Sequence, residues 1–124
     1  MKRILVTGSR DWEDAHIIET ELTKAWKRFG FPDEIVLVSG NCPTGADHIA
    51  EQIWSMMGLQ TELHPANWTK YGKAAGPLRN REMVALGADL CLAFIKNNSR
   101  GATHCLTLAQ EDDIPCAVWR YNTD

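Results

Sequence analysis

Short apolar runs rich in β-branched residues alternate along the chain with longer stretches in which apolar positions recur every three or four residues. The first run, Arg3 to Thr7, leads through Gly8-Ser9-Arg10-Asp11-Trp12 into a helix predicted around Asp14 to Arg28. Ala15, Ile18, Leu22, Ala25 and Trp26 mark one face of that helix. The second run, Glu34 to Ser39, leads through a loop bracketed by Gly40 and Gly45 into the most regular helical pattern, Ala46, Ile49, Ala50, Ile53, Trp54 and Met57. Gly58 is placed to end it, because glycine takes the left-handed cap conformation without steric cost. Gln60 to His64 alternates as a short third strand closed by Pro65. A connector then runs into a helix over about Pro77 to Leu86, with proline in the first turn where its missing N–H costs nothing. Asp89 to Lys96 holds the unbroken apolar stretch Leu90 to Ile95, which predicts a central strand covered on both faces. A helix carrying Ala102, Cys105, Leu106 and Ala109 on one side follows, and Pro115 to Trp119 supplies the last strand.

Strands joined by helical crossovers are mostly parallel, so the pattern predicts an α/β three-layer sandwich of about five strands with helices on both faces. With 124 residues and no linker or low-complexity tract, the expectation is one domain over 1–124. The formal net charge of −3 argues against a protein that coats duplex DNA by neutralising phosphates. The start, Met-Lys-Arg-Ile-Leu-Val-Thr-Gly, has too short an apolar run for a signal peptide, and no stretch approaches a membrane span. A cytoplasmic protein is expected. Cys42, Cys91, Cys105 and Cys116 form no C-x-x-C pair and match no histidine spacing, so neither a metal nor a resident cofactor is expected; the last three sit in apolar surroundings and read as buried thiols.

In parallel sheets of this kind ligands bind at the carboxyl ends of the strands, which directs attention to the loops after strands one, two and four. Gly8-Ser9-Arg10 combines a residue without Cβ, a hydroxyl and a guanidinium just before a helix, the parts that handle phosphate. The same triplet also suits a plain turn with a solvated arginine. In the second loop Gly40 and Gly45 bracket the turn and Asp47 falls in the first helical turn, where it either stabilises the helix dipole or accepts from ribose hydroxyls. The fourth loop, Ser99-Arg100-Gly101-Ala102-Thr103, repeats the pattern, with His104 behind it as a candidate ligand contact. Between these loops the segment Asn67 to Glu82 sets Lys70, Lys73, Arg79 and Arg81 against Glu82, a local net charge of +3. Lys70 and Lys73 read as a solvated face, Arg79 and Asn80 as inward-pointing. Trp12 and Trp68 lie in polar loops, where each can stack on a base at a cleft rim or plug the end of the sheet.

Taken in order, Gly8-Ser9-Arg10 with Trp12, Ser39-Gly40 with Gly45-Ala46-Asp47, Pro65-Ala66-Asn67-Trp68, Gly76 with Arg79-Asn80 and Met83, Gly87-Ala88-Asp89, and Ser99-Arg100-Gly101 resemble the YspA/YpsA-related SLOG family. That superfamily joins the Lonely Guy phosphoribohydrolases to the DNA-processing protein A proteins. The resemblance implies a Rossmann-like domain, a site for a nucleotide or nucleotide-derived ligand, and a homodimer. It carries Gly8, Ser9, Arg10, Gly40, Gly45, Asp47, Arg79, Asn80, Ser99 and Gly101 toward that site, and Trp12 and Trp68 join them as stacking candidates.

The Lonely Guy signature Pro-Gly-Gly-x-Gly-Thr-x-x-Glu is altered in the corresponding stretch, Asn97 to Cys105, where Ala102 replaces the threonine and Cys105 the catalytic glutamate. Only Asp47 or Glu82 is then left to supply a carboxylate for glycosidic cleavage. The expected function is therefore binding, sensing or sequestering a nucleotide-derived ligand such as an ADP-ribose or cyclic-nucleotide derivative. The alternative is a metal-independent enzyme that hydrolyses or transfers an N-glycosidic bond. A DNA-binding module would need a continuous basic surface that the short +3 segment does not supply.

Overall fold

Each apolar run becomes a strand of one sheet in the computed structural model, which describes residues 1–123. The chain runs β1 (Lys2–Gly8), α1 (Ala15–Arg28), β2 (Ile35–Ser39), α2 (Gly45–Met56), β3 (Gln60–Leu63), α3 (Trp68–Tyr71), a 3-10 turn (Gly72–Ala74), α4 (Ala75–Ala85), β4 (Leu90–Lys96), α5 (Arg100–Glu111) and β5 (Cys116–Tyr121). The strands pair in parallel in the order β3-β2-β1-β4-β5. The architecture is the α/β three-layer, Rossmann-like sandwich that the alternation of patterns implies. The central place belongs to β1 rather than β4, which lies beside it. The expected connector holds α3 and the 3-10 turn, and α4 begins at Ala75, ahead of Pro77.

Side chains of a strand alternate between faces, so each parallel strand feeds two cores. Ile4, Val6, Ile35 and Leu37 pack with Ile18 and Leu22 of α1 and with Ala50 and Trp54 of α2. The Trp54 indole is fully buried and keeps its one polar group satisfied by donating to the Gln60 carbonyl at 2.8 Å. Leu5, Val36, Val38 and Cys91 face the other way, onto Met83 and Val84 of α4 and Cys105 and Ala109 of α5. Most of the periodic positions are buried as their spacing predicts; Ala15, at the first turn of α1, is exposed, and Asp14 before it caps the helix by accepting from the Ile17 N–H at 3.2 Å. All four cysteines are free, and Cys91 and Cys105 are buried. Burial pushes the Cys105 thiol up to about 11 and raises Cys91 as well, which keeps both protonated and unreactive.

One close approach sets the geometry of the sheet's carboxyl edge. A Cβ on Gly8 would collide with the Ala46 side chain and the Phe94 carbonyl oxygen, and one on Gly45 with the backbone of Ser9 and Arg10. Gly45 also has φ of +75°, a region that side chains with a Cβ disfavour. These glycines let the end of β1 lie directly against the first turn of α2. Gly45→Ala combines the backbone strain with the clash, and a loss of at least about 2 kcal/mol in unfolding free energy is expected from denaturant titration. An unchanged midpoint would mean that the loop relaxes away from α2.

Candidate functional site

The chain leaves β1 toward α1 on one face and β4 toward α5 on the other, so the carboxyl ends of these neighbouring strands bound a crevice. A cleft of about 580 Å³ occupies it. Val6, Thr7 and Gly8 form its floor, and Cys42 and Asp47 stand on the α2 side. Gly76, Pro77, Arg79, Asn80 and Met83 of α4 close it from one side, and Ser99 to Ala102 with His104 bring the start of α5 to the other. Arg10, Trp68 and Lys73 stand at the rim.

The lining is cationic. Arg10, Lys73, Arg79 and Arg100 face a single carboxyl group, that of Asp47. Arg10 is exposed and its guanidinium lies 5.3 Å from the centroid of the Trp68 ring, a cation–π contact that joins the first loop to α3. Arg79 donates from Nη1 to the Gly40 carbonyl at 2.6 Å and from Nε to Asn80 Oδ1 at 2.9 Å, so it fastens the loop after β2 to α4 while it lines the cleft. At α5 the Ser99 side chain makes no capping hydrogen bond. The first residues of that helix line the cleft and their N–H groups have no Ser99 side-chain acceptor, and a helix start left so favours an anion.

Asp47 is 7% exposed, and its Oδ2 accepts from the Cys42 N–H at 3.3 Å. Burial raises its carboxyl to about 6, against the pull of that N–H and of the positive charges on Arg79 and Arg10, while Glu51 adds to the rise. Glu51 is raised by its own burial and accepts from Ser39 Oγ at 2.7 Å.

The sequence candidates divide into three groups. Gly8, Arg10, Asp47, Trp68, Arg79, Asn80, Ser99 and Gly101 line one cleft, together with His104. Ser9, Gly40 and Gly45 support it without lining it. Ser9 is buried, and its hydroxyl accepts from the Lys96 N–H at 2.7 Å and donates to the Lys96 carbonyl at 3.3 Å. Gly40 gives room to the Arg79 guanidinium. Trp12 belongs to neither group and the rim-stacking role expected for it is corrected: it is 5% exposed, packs edge-on against Phe94 at 5.6 Å, and donates to the Asp14 carbonyl. It plugs the end of the sheet because the loop after β1 folds it under toward α1. Glu82, one of two carboxylates considered for catalysis, is exposed beside His64 and outside the cleft lining.

Lys73 is exposed at the cleft rim, in keeping with the solvated face read for it, whereas Arg100 was passed over between Ser99 and Gly101. The 3-10 turn that carries Lys73 at the rim has no periodic signature at three residues. Arg100 was legible as the first residue of a helix opening on the cleft. Among the described residues no group of three His, Cys, Asp or Glu is placed to hold a metal ion, and no helix is long and apolar enough to cross a membrane.

The family model described as YspA, cpYpsA-related SLOG matches residues 2–71, from β1 through α3. The chain belongs to this SLOG family. It is also 43% identical over 120 residues to the Gene 61 protein of Mycobacterium phage D29, a match that covers 93% of this chain and 94% of the phage protein. No solved structure matches it. Membership points to nucleotide-related binding or catalysis, and the floor and α2 side of the cleft fall inside the matched span, whereas α4 and α5 lie beyond it.

The raised Asp47 carboxyl has a consequence for stability. Its folded value, about 6, exceeds the ordinary aspartate value of 3.8, so its protonated form stabilises the fold below about pH 4 and that contribution is lost as pH rises through 6. The full loss is on the order of 3 kcal/mol. Asp47→Asn, which cannot ionise, should melt several degrees above the parent at pH 8 and close to it at pH 4 in thermal scans. A difference independent of pH would show that the Asp47 carboxyl titrates alike in the folded and the unfolded protein.

Proposed function

We propose that the cleft binds the phosphate and ribose of a nucleotide-derived small molecule, in the class of ADP-ribose or cyclic-nucleotide derivatives, and that the protein binds, senses or sequesters it. The observation that carries this reading is the charge of the lining, four cations against one carboxyl at the open start of α5. A phosphate fits the α5 N–H groups with Arg100 beside them, and Arg10 and Lys73 add positive field at the rim. Asp47 is the acceptor suited to ribose hydroxyls, and Trp68, 48% exposed, offers a flat face to a base.

Asp47 also favours a second reading, hydrolysis or transfer at an N-glycosidic bond. A buried carboxyl raised to about 6 carries a transferable proton near neutral pH, as a general acid or base requires. The two readings differ in whether the ligand survives.

A thermal-shift screen against nucleotides, NAD, ADP-ribose, cyclic ADP-ribose species and cyclic dinucleotides, with mass spectrometry of each incubation, separates them. A ligand at one hundred times its dissociation constant adds about 2.7 kcal/mol of stability. Recovery of intact ligand is the expected result; a product mass that disappears with Asp47→Asn would establish catalysis. Arg10→Ala should weaken binding of the hit about tenfold in calorimetry with little change in melting temperature, since Arg10 is exposed. A large drop in stability instead would make Arg10 a structural residue, and silence across the panel would overturn the nucleotide reading.

A further inference from the structure

The side-chain amide of Asn80 reaches a histidine in the cleft. Asn80 is 3% exposed on α4, and its amide meets three partners. Oδ1 accepts from Arg79 Nε at 2.9 Å, while Nδ2 lies 3.2 Å from the Gly101 carbonyl oxygen and 3.2 Å from His104 Nδ1. Arg79 Nε can only donate and a carbonyl oxygen can only accept, so the amide has one orientation consistent with both. The NH2 group then points one hydrogen at Gly101 and the other at His104. His104 Nδ1 must accept, which leaves the ring proton on Nε2. An imidazolium, or the opposite tautomer, would set an N–H against an N–H.

His104 lines the cleft, and no described residue hydrogen-bonds to its Nε2. We propose that Asn80 is a positioning residue that holds His104 as the neutral Nε2–H tautomer, so that the histidine meets the ligand as an uncharged hydrogen-bond donor. The role as donor to a ligand rests on the nucleotide reading of the cleft; the tautomer does not. An uncharged donor suits an oxygen that already shares its charge with the neighbouring arginines, or a carbonyl on a base. Because Asn80 also bonds Arg79 and Gly101, the same amide couples the donor's direction to the Arg79 guanidinium and to the first turn of α5.

Long-range nitrogen–proton correlation spectra of the uniformly nitrogen-15-labelled, ligand-free protein read the tautomer directly. The expected pattern is a protonated-type Nε2 and an unprotonated-type Nδ1 for His104, with the ring proton transferred to Nδ1 in Asn80→Asp, whose carboxylate only accepts. A wild-type spectrum with the proton on Nδ1 overturns the proposal, and that measurement needs neither a ligand nor a stable variant. With ADP-ribose as the probe, His104→Ala should weaken binding about fivefold to tenfold, the range of one neutral hydrogen bond, and His104→Gln should recover part of the loss because its amide can donate from a similar position. Unchanged affinity in His104→Ala would overturn the donor role. Absence of ADP-ribose binding by the wild-type protein would count against the nucleotide reading of this probe, while the spectrum still decides what Asn80 does.

Discussion

The carboxyl edge of the sheet depends on the way Ser9 is surrounded. Its N–H donates to the Phe94 carbonyl at 2.9 Å, its carbonyl accepts from Trp12 and Ala46, and its hydroxyl bridges the backbone of Lys96. One residue thereby ties the end of β1 to the end of β4 and to the first turn of α2. The bonds are made in a buried place, where leaving any of them unmade would cost the desolvation of a polar group. They require α2 to approach closely, and that approach requires Gly8 and Gly45 to lack side chains. The cleft floor, the position of Asp47 and the outward throw of Arg10 all follow from this junction.

This junction explains where the sequence was legible and where it was not. Strand and helix positions could be read because burial imposes a period: Ala102, Cys105, Leu106 and Ala109 are the buried residues of α5, as their spacing requires. Period carries no information about which polar group in a loop faces a ligand and which faces the protein. Ser9, between Gly8 and Arg10, has the composition of a phosphate loop, yet its hydroxyl is committed to Lys96. Trp12 and Trp68 were indistinguishable as aromatic residues in polar loops, and only the direction of the chain after β1 separates a core plug from a rim residue. Gly8, Gly40 and Gly45, which the resemblance carried toward the ligand site, are points of close contact between elements, and Gly8 also lines the cleft. The helix start that lines the cleft without a side-chain cap is that of α5, which the sequence also marked.

The division between packing and chemistry runs differently through the two halves of the chain. Residues 2–71, the part matched by the family model, contain the glycine junction, Arg10 and Asp47. The part beyond it contributes α4 and the start of α5, whose Arg79, Asn80, Ser99, Gly101 and His104 stand opposite. Arg79 reaches back to Gly40 across this division, so the two walls of the cleft are held to one another by a charged side chain rather than by apolar packing alone. A bond of that kind fixes spacing and direction, which a ligand with several acceptors needs more than it needs a tight core.

Asp47 shows what the cleft requires of the fold. A helix N-terminus accommodates an acidic side chain for reasons of dipole alone, but an exposed carboxylate would serve that purpose without loss. Burial instead raises this group to about 6 and makes its ionised form a burden on stability near neutral pH, which the nearby arginines relieve only in part. Structural considerations alone would favour asparagine, which can keep the bond from the Cys42 N–H and carries no charge to desolvate. A carboxyl there, at the wall of a cationic cleft, offers a strong acceptor or a proton at that point, which is what the proposed function asks of it. The physical cost of Asp47 to the fold and the chemistry open to it in the cleft are thus two consequences of the same placement.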